Sequence, residues 1–406
     1  MKKRILCLAM AAAMTASLLA GCAGGSTNAG GASGETSEEP SDANGPEDSV
    51  FKIGGIGPTT GAAAIYGSDV RDAIQIAVDE INADGGINGF QIEYKFEDDE
   101  HNAEKAINAY NTLKDWGMQM LIGTVTSAPC IAVSEKTKED NMFQLTPSGT
   151  AVNCVQYDNA FRLCFSDPNQ GSASADYIAG NDTLKTSKIA IIYDSSIEYS
   201  TGIHDSFVAR ASELSLDVVS DTSFTTDSNT DFTVQLQTSK DAGADLLFLP
   251  IYYQEASLIL KQADSMGYKP VFFGVDGMDG ILGVENFDTS LAEGVYLLTP
   301  FSANAEDELT VNFVKKFEEL TGHIPNQFGA DAYDAVYAVK AVCEAQNVSP
   351  GSSIPDICEA MKKGMTEIEL SNVLTSPNSI TWTAEGEPNK EPRAVIIENS
   401  EYVLAE

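Results

Sequence analysis

From Val50 onward, short apolar runs alternate with stretches of helical period. Residues 50–56 read as a strand that runs into a Gly/Pro turn. Val70, Ala73, Ile74, Ala77, Val78 and Ile81 share one face of a helix predicted over 68–83, which Asp84-Gly85-Gly86 stops. The half-exposed alternation of 91–96 predicts a second strand. Helices follow over 102–115 and 128–139, each leading to a short apolar strand, at 118–123 and 142–146. Further along, 188–193, 244–250 and 271–274 are near-continuous apolar runs, the pattern of parallel strands covered on both faces. Helical patterns at 202–214, 229–242, 254–266 and 306–321 separate or follow them. Strand-helix alternation at this spacing means βαβ units and parallel sheets. A composition shift over 161–171 divides two such series, and about 355 residues after residue 50 is a length for two lobes rather than one.

The first 49 residues do not follow this rhythm. Lys2, Lys3 and Arg4 precede an apolar stretch over 5–19, too short for the roughly 20 residues of a membrane span. Small residues follow, so 1–21 read as a signal peptide. Leu19-Ala20-Gly21-Cys22 resembles the bacterial lipobox, which implies that Cys22 becomes the acylated first residue of the mature chain. Residues 22–49 are Gly, Ser, Ala, Asn and acid, a composition that cannot offset its own ordering entropy and predicts a flexible tether.

Charge narrows the partners. Without Lys2, Lys3 and Arg4 the chain holds 21 basic against 60 acidic residues, a net charge of −39. Nucleic-acid binding needs a basic face, and none is present. Cys130, Cys154, Cys164, Cys343 and Cys358 follow no metal-ligand spacing and read for the most part as buried thiols. His101, His204 and His323 are scattered and read as satisfied or surface residues. No Gly-x-Ser-x-Gly elbow, Walker loop or dinucleotide fingerprint occurs, so neither a cofactor nor catalysis is expected.

What remains is a set of polar turns after predicted strands, where open α/β sheets place ligands. They are 57–61 extended to Tyr66, 123–127, 146–150, 193–199, 251–253 and 274–277. Hydroxyls and free N–H groups at helix starts suit a carboxylate. An acid such as Asp276 suits an ammonium, and tyrosines supply apolar walls with polar tips. The inventory fits an amino acid.

Several stretches, "IGGIGPTTGAAAIYG", "AVDEINADGGING", "LIGTVTSAPCIAVSE", "LTPSGTA", "FRLCFSDPNQG", "FGADAYDAVYAVKAV" and "SITWTAEGEPNKEPRAVII", carry a family resemblance over about 50–404. The chain resembles the type I periplasmic-binding-protein receptors of branched-chain amino-acid ABC transporters. The resemblance implies two Rossmann-like lobes, 50–166 plus 301–371 and 167–299 plus 378–406, joined by a three-crossing hinge. It implies that Ser127, Ser148, Gly149 and Thr150 hold the ligand carboxylate. Tyr66, Tyr199 and Tyr252 (or Tyr253, one residue on) would line the pocket, and Asp276 would receive the α-ammonium. It further implies a monomer on the outer face of the cell membrane, anchored through Cys22, that delivers its ligand to permease and ATPase subunits. Two departures stand out: Asp276 is shorter than the family's frequent Glu, and Thr126 replaces a cysteine that often forms a first-lobe disulfide. Sensory receptors and urea- or amide-binding relatives share the same fold.

Overall fold

The computed structural model describes residues 49–405, so the expected leader, Cys22 and most of the tether lie outside the described residues. The first sheet is fully parallel, with strand order β2-β1-β3-β4-β5. Its strands are β1 (Phe51–Gly57), β2 (Ile92–Asp98), β3 (Met120–Gly123), β4 (Phe143–Thr146) and β5 (Ala160–Arg162). Helices α1 (Ala64–Ala83), α2 (Ala103–Trp116) and α3 (Ser127–Asp140) connect them. β3 and β4 are buried along their whole length, which explains why they read as unbroken apolar runs.

α1 begins four residues before the predicted start, on an alanine run with no side-chain cap. Nothing in the sequence marks that boundary, because Ala63 offers no oxygen to the first helical N–H groups. The early start carries Tyr66 into the first helical turn, where it is buried. Burying a side chain of this size contributes about 1.5–3 kcal/mol through its apolar area, provided its hydroxyl finds a partner.

The second sheet has order β12-β11-β10-β9-β8-β6-β7. It follows α4 (Asp167–Gly180) and runs through β6 (Lys188–Asp194), α5 (Glu198–Leu214), β7 (Asp217–Phe224), α6 (Thr233–Asp241), β8 (Leu246–Leu249), α7 (Tyr253–Ser265), β9 (Val271–Gly274) and β10 (Tyr296–Thr299). α8 (Glu308–Thr321), α9 (Gln327–Ala345) and α10 (Ile354–Met365) then return to the first sheet's side, where α9 packs on α1 and α10 on β4. Finally β11 (Arg393–Glu398) and β12 (Glu401–Leu404) rejoin the second sheet as antiparallel strands. β7 was not predicted: it is an edge strand whose sequence, DVVSDTSF, lacks both a continuous apolar run and a clean alternation.

Two ion pairs, the first of them buried, tie distant segments together. Lys390, on the approach to β11, pairs with Asp331 of α9, and its Nζ also donates to Thr375 Oγ1 at 2.7 Å. Arg162, at the end of β5, meets Glu387 at 3.2 Å. Cys130, Cys154, Cys164, Cys343 and Cys358 are buried and free.

Candidate functional site

The strand ends of both sheets supply the site. β3 ends at Gly123, and the next residues lead directly into α3, so Val125, Thr126 and Ser127 sit at a helix start. β4 ends in the loop that carries Ser148, Gly149 and Thr150. From the second sheet, α5 opens with Glu198-Tyr199, β8 leads to Tyr252 and Tyr253, and β9 leads to Asp276 and Gly277.

Five of the eight residues expected to bind ligand line one narrow cavity: Tyr66, Ser148, Tyr199, Tyr252 and Asp276, joined by Val125, Thr126, Gly277 and Phe328. Ser127, Gly149 and Thr150 do not line it. Ser127 Oγ accepts from Ala151 N at 3.2 Å, and Gly149 N donates to Thr146 Oγ1 at 2.8 Å. Ser148 Oγ donates to Val125 O at 2.7 Å, which locks the β4 loop to the α3 start. Arg162, fully buried, organises the same loop from below. Its guanidinium donates to the carbonyls of Gly149 (3.1 Å), Thr150, Ala151 (3.0 Å) and Val152 (3.4 Å).

The opposite wall is aromatic. Tyr199 stacks on Tyr252, with centroids 4.5 Å apart and planes at 14°. Tyr66 stands edge-on to Tyr253 at 4.9 Å and to Phe328 at 4.7 Å. It is Tyr252 that faces the cavity, and Tyr253 packs behind it. The Tyr66 hydroxyl donates to Gly277 O, which joins α1 to the segment after β9. Gly277 is required for this approach, because a Cβ there would meet Tyr199 Oη at 2.4 Å and Tyr252 at 2.9 Å.

Asp276 is the buried acid of the cavity, 2% exposed. Tyr199 Oη donates to its Oδ1 at 2.6 Å and accepts from Gly277 N at 2.9 Å. Burial raises the Asp276 carboxyl to about 7, against the opposing hydrogen bond from Tyr199. Asp167, at the start of α4, is a second buried acid, raised by burial and by the neighbouring charge of Asp276. The Thr150 hydroxyl lies beside the Asp167 carboxyl and the Gln170 amide beside that of Asp276, each opposing the effect of burial, and Asp276 N donates to Gln170 Oε1 at 3.0 Å.

Sequence reasoning missed Asp167 and Phe328 as site residues, although both stand in stretches that carry the family resemblance. Their signal was positional: each opens a helix, α4 or α9, behind a side-chain cap from Ser166 or Asn326. His101 was read as bland, and one of its ring nitrogens has a protein partner. Its Nδ1 shares a hydrogen bond with Thr126 Oγ1 at 2.9 Å, and its ring meets Tyr252 edge-on at 5.5 Å, at the rim of the cavity.

A larger cavity of about 610 Å³ lies elsewhere and shares no lining residue with this one. The narrow cavity is nonetheless the candidate site, because acid, hydroxyls and rings from both sheets converge there. Among the described residues no group of His, Cys, Asp and Glu is arranged to hold a metal ion. Nor is any described helix long and apolar enough to cross a membrane.

A narrow aromatic cavity between two α/β sheets, with a buried acid facing hydroxyls and rings, is the kind of site a solute receptor presents. The chain belongs to the periplasmic binding protein family, whose model matches residues 50–394. It is 27% identical over 342 residues to a Leu/Ile/Val-binding protein homolog of Brucella melitensis, covering 82% of this chain and 88% of that protein. Among solved structures it is similar to a leucine-binding protein from Thermotoga maritima (TM-score 0.77, 24% identity, 88% of this chain and 98% of the other). It is also similar to a branched-chain amino acid transporter substrate-binding protein from Streptococcus pneumoniae, solved with isoleucine (TM-score 0.76, 24% identity, 88% and 100% coverage). These relatives are binding proteins, not enzymes.

Proposed function

We propose that this chain is the extracytoplasmic, lipid-anchored receptor of an ABC importer and binds an amino acid or close analogue in the narrow cavity. The observation that carries the reading is the facing of the buried Asp276 carboxylate, with Tyr199 and Tyr252, against the Ser148 loop. The carboxylate of the solute would meet Ser127, Ser148, Gly149 and Thr150, its ammonium would meet Asp276, and Tyr66, Tyr199 and Tyr252 would wall its side chain. Relatives named for leucine, isoleucine and valine support an aliphatic side chain, as do the apolar Val125 and Phe328.

The two sheets would act as lobes, 50–166 plus 301–371 against 167–299 plus 378–406, closing over the solute about the three chain crossings. Closure is stabilised only as far as the solute binds the closed form better than the open one. Acylation at Cys22 would hold this monomer at the outer face of the membrane, beside permease and ATPase subunits.

The test is calorimetric titration of residues 50–406 with aliphatic amino acids between pH 5 and 8. A ligand ammonium needs the ionised carboxylate, and Asp276 holds its proton up to about 7 in the free protein. Affinity is therefore expected to weaken as pH falls below 7, by roughly tenfold per unit, and the slope to vanish in Asp276→Asn. Absence of heat with any amino acid overturns the reading. The same raised carboxyl makes Asp276's own contribution to ligand-free stability greatest below about pH 4. That contribution is lost as pH rises through about 7.

A further inference from the structure

The larger cavity, about 610 Å³, has a chemistry of its own. It lies among the first turns of α1, the segment after Asp276, the residues that follow β10, the approach to α9 and the β12 turn. Ile65, Leu282, Phe301 and Ile324 give it apolar walls. Ile65 neighbours Tyr66 in sequence, but its N–H donates to Tyr253 Oη at 3.4 Å, and the Tyr253 ring stands beside Tyr66.

Three carboxylates, Asp69, Asp279 and Glu401, line the cavity against the single basic group of His323. Asp69 is saturated: one oxygen meets His323 Nε2 at 2.8 Å and the other accepts from Asn326 N at 2.9 Å. Asp279 is not. It is 4% exposed; its Oδ2 accepts from Gln327 N at 2.9 Å, the Tyr402 hydroxyl and the Gln327 side chain lie beside the carboxylate, and its Oδ1 has no hydrogen bond of good geometry among the described residues. Such an unpaired buried oxygen costs free energy that a donor would recover. The acidic surplus disfavours an anion, and the walls disfavour a purely polar molecule.

We propose that this cavity is a second solute site, which takes a small organic cation with an apolar body whose protonated amine donates to Asp279 Oδ1. The apolar body lies against Ile65, Leu282 and Phe301. Burial raises the Asp279 carboxyl to about 6, so it is ionised at pH 7.5. This site goes beyond the amino-acid cavity and does not rest on it.

The experiment is calorimetric titration of the full chain at pH 7.5 with n-hexylammonium chloride and, separately, sodium hexanoate. Hexylammonium is expected to bind one to one, and hexanoate not to bind. Asp279→Asn keeps a carbonyl for Gln327 N–H but removes the charge, and is expected to weaken hexylammonium binding by about tenfold or more. Ala303→Phe, which fills the cavity from a half-buried lining position, is expected to weaken it comparably without touching the acid. If Asp279→Asn fails to unfold cooperatively on heating, Ala303→Phe carries the test. No hexylammonium heat, equal binding of the anion, or unchanged affinity in Ala303→Phe overturns the proposal.

Discussion

Asp276→Ala is expected to lower affinity for an α-amino carboxylate ligand by roughly 30-fold to several thousand-fold, the equivalent of about 2–5 kcal/mol. The carboxylate is 2% exposed, so no water takes its place beside a bound ammonium. The same change leaves the Tyr199 hydroxyl without the acceptor it holds at 2.6 Å, and so loosens the ring that stacks on Tyr252. A second readout separates a binding residue from a structural one. Burial raises the carboxyl to about 7, so its charge opposes folding at alkaline pH. The isosteric Asp276→Asn chain is therefore expected to be more stable than wild type at pH 8 when no ligand is present, while losing affinity. Sites commonly give up stability for function in this way. A fall in stability with unchanged affinity would assign Asp276 to the framework instead.

Arg162→Met carries the second large effect. The guanidinium is fully buried and serves four consecutive carbonyls, those of Gly149 to Val152, as well as Glu387. Methionine fills comparable volume but donates nothing, so those acceptors lose their partner in a place closed to water. Removing one member of a buried charged network typically costs about 3–5 kcal/mol. Urea unfolding followed by circular dichroism is expected to show a loss of unfolding free energy of that size. Ligand affinity should fall too, because the loop bearing Ser148 and Thr150 is held in position from Arg162 rather than by its own short sequence. Stability within about 1 kcal/mol of wild type would show that the loop holds itself.

The fold was legible wherever burial imposes a period. The α1 stripe of Val70, Ala73, Ile74, Ala77, Val78 and Ile81 and the apolar runs of β6, β8 and β9 answer to one simple requirement, a covered face. β7 was not legible, because an edge strand needs no continuous apolar run. The early start of α1 was hidden because Ala63 carries no capping oxygen.

The same contrast holds at the site. Turns after strands could be read locally, and within them the family resemblance singles out Tyr66, Ser148, Tyr199, Tyr252 and Asp276, which the fold brings around one cavity. Arg162 and Asp167 could not be read that way. Arg162 acts through backbone carbonyls, which every residue has, so its role exists only in three dimensions. Asp167 resembles an ordinary acid in a first helical turn until its burial beside Asp276 is known. The cavity lined by Asp279 joins segments from residue 64 to residue 402, a separation that no local pattern spans.

The most direct measurement of the central claim compares an aliphatic amino acid with the same molecule lacking its amine. Leucine and 4-methylpentanoate are titrated in parallel into residues 50–406 at pH 7.5. An Asp276 that receives an ammonium predicts that leucine binds at least about tenfold more tightly than its des-amino counterpart. Equal affinity for the two, or tighter binding of 4-methylpentanoate, would contradict it.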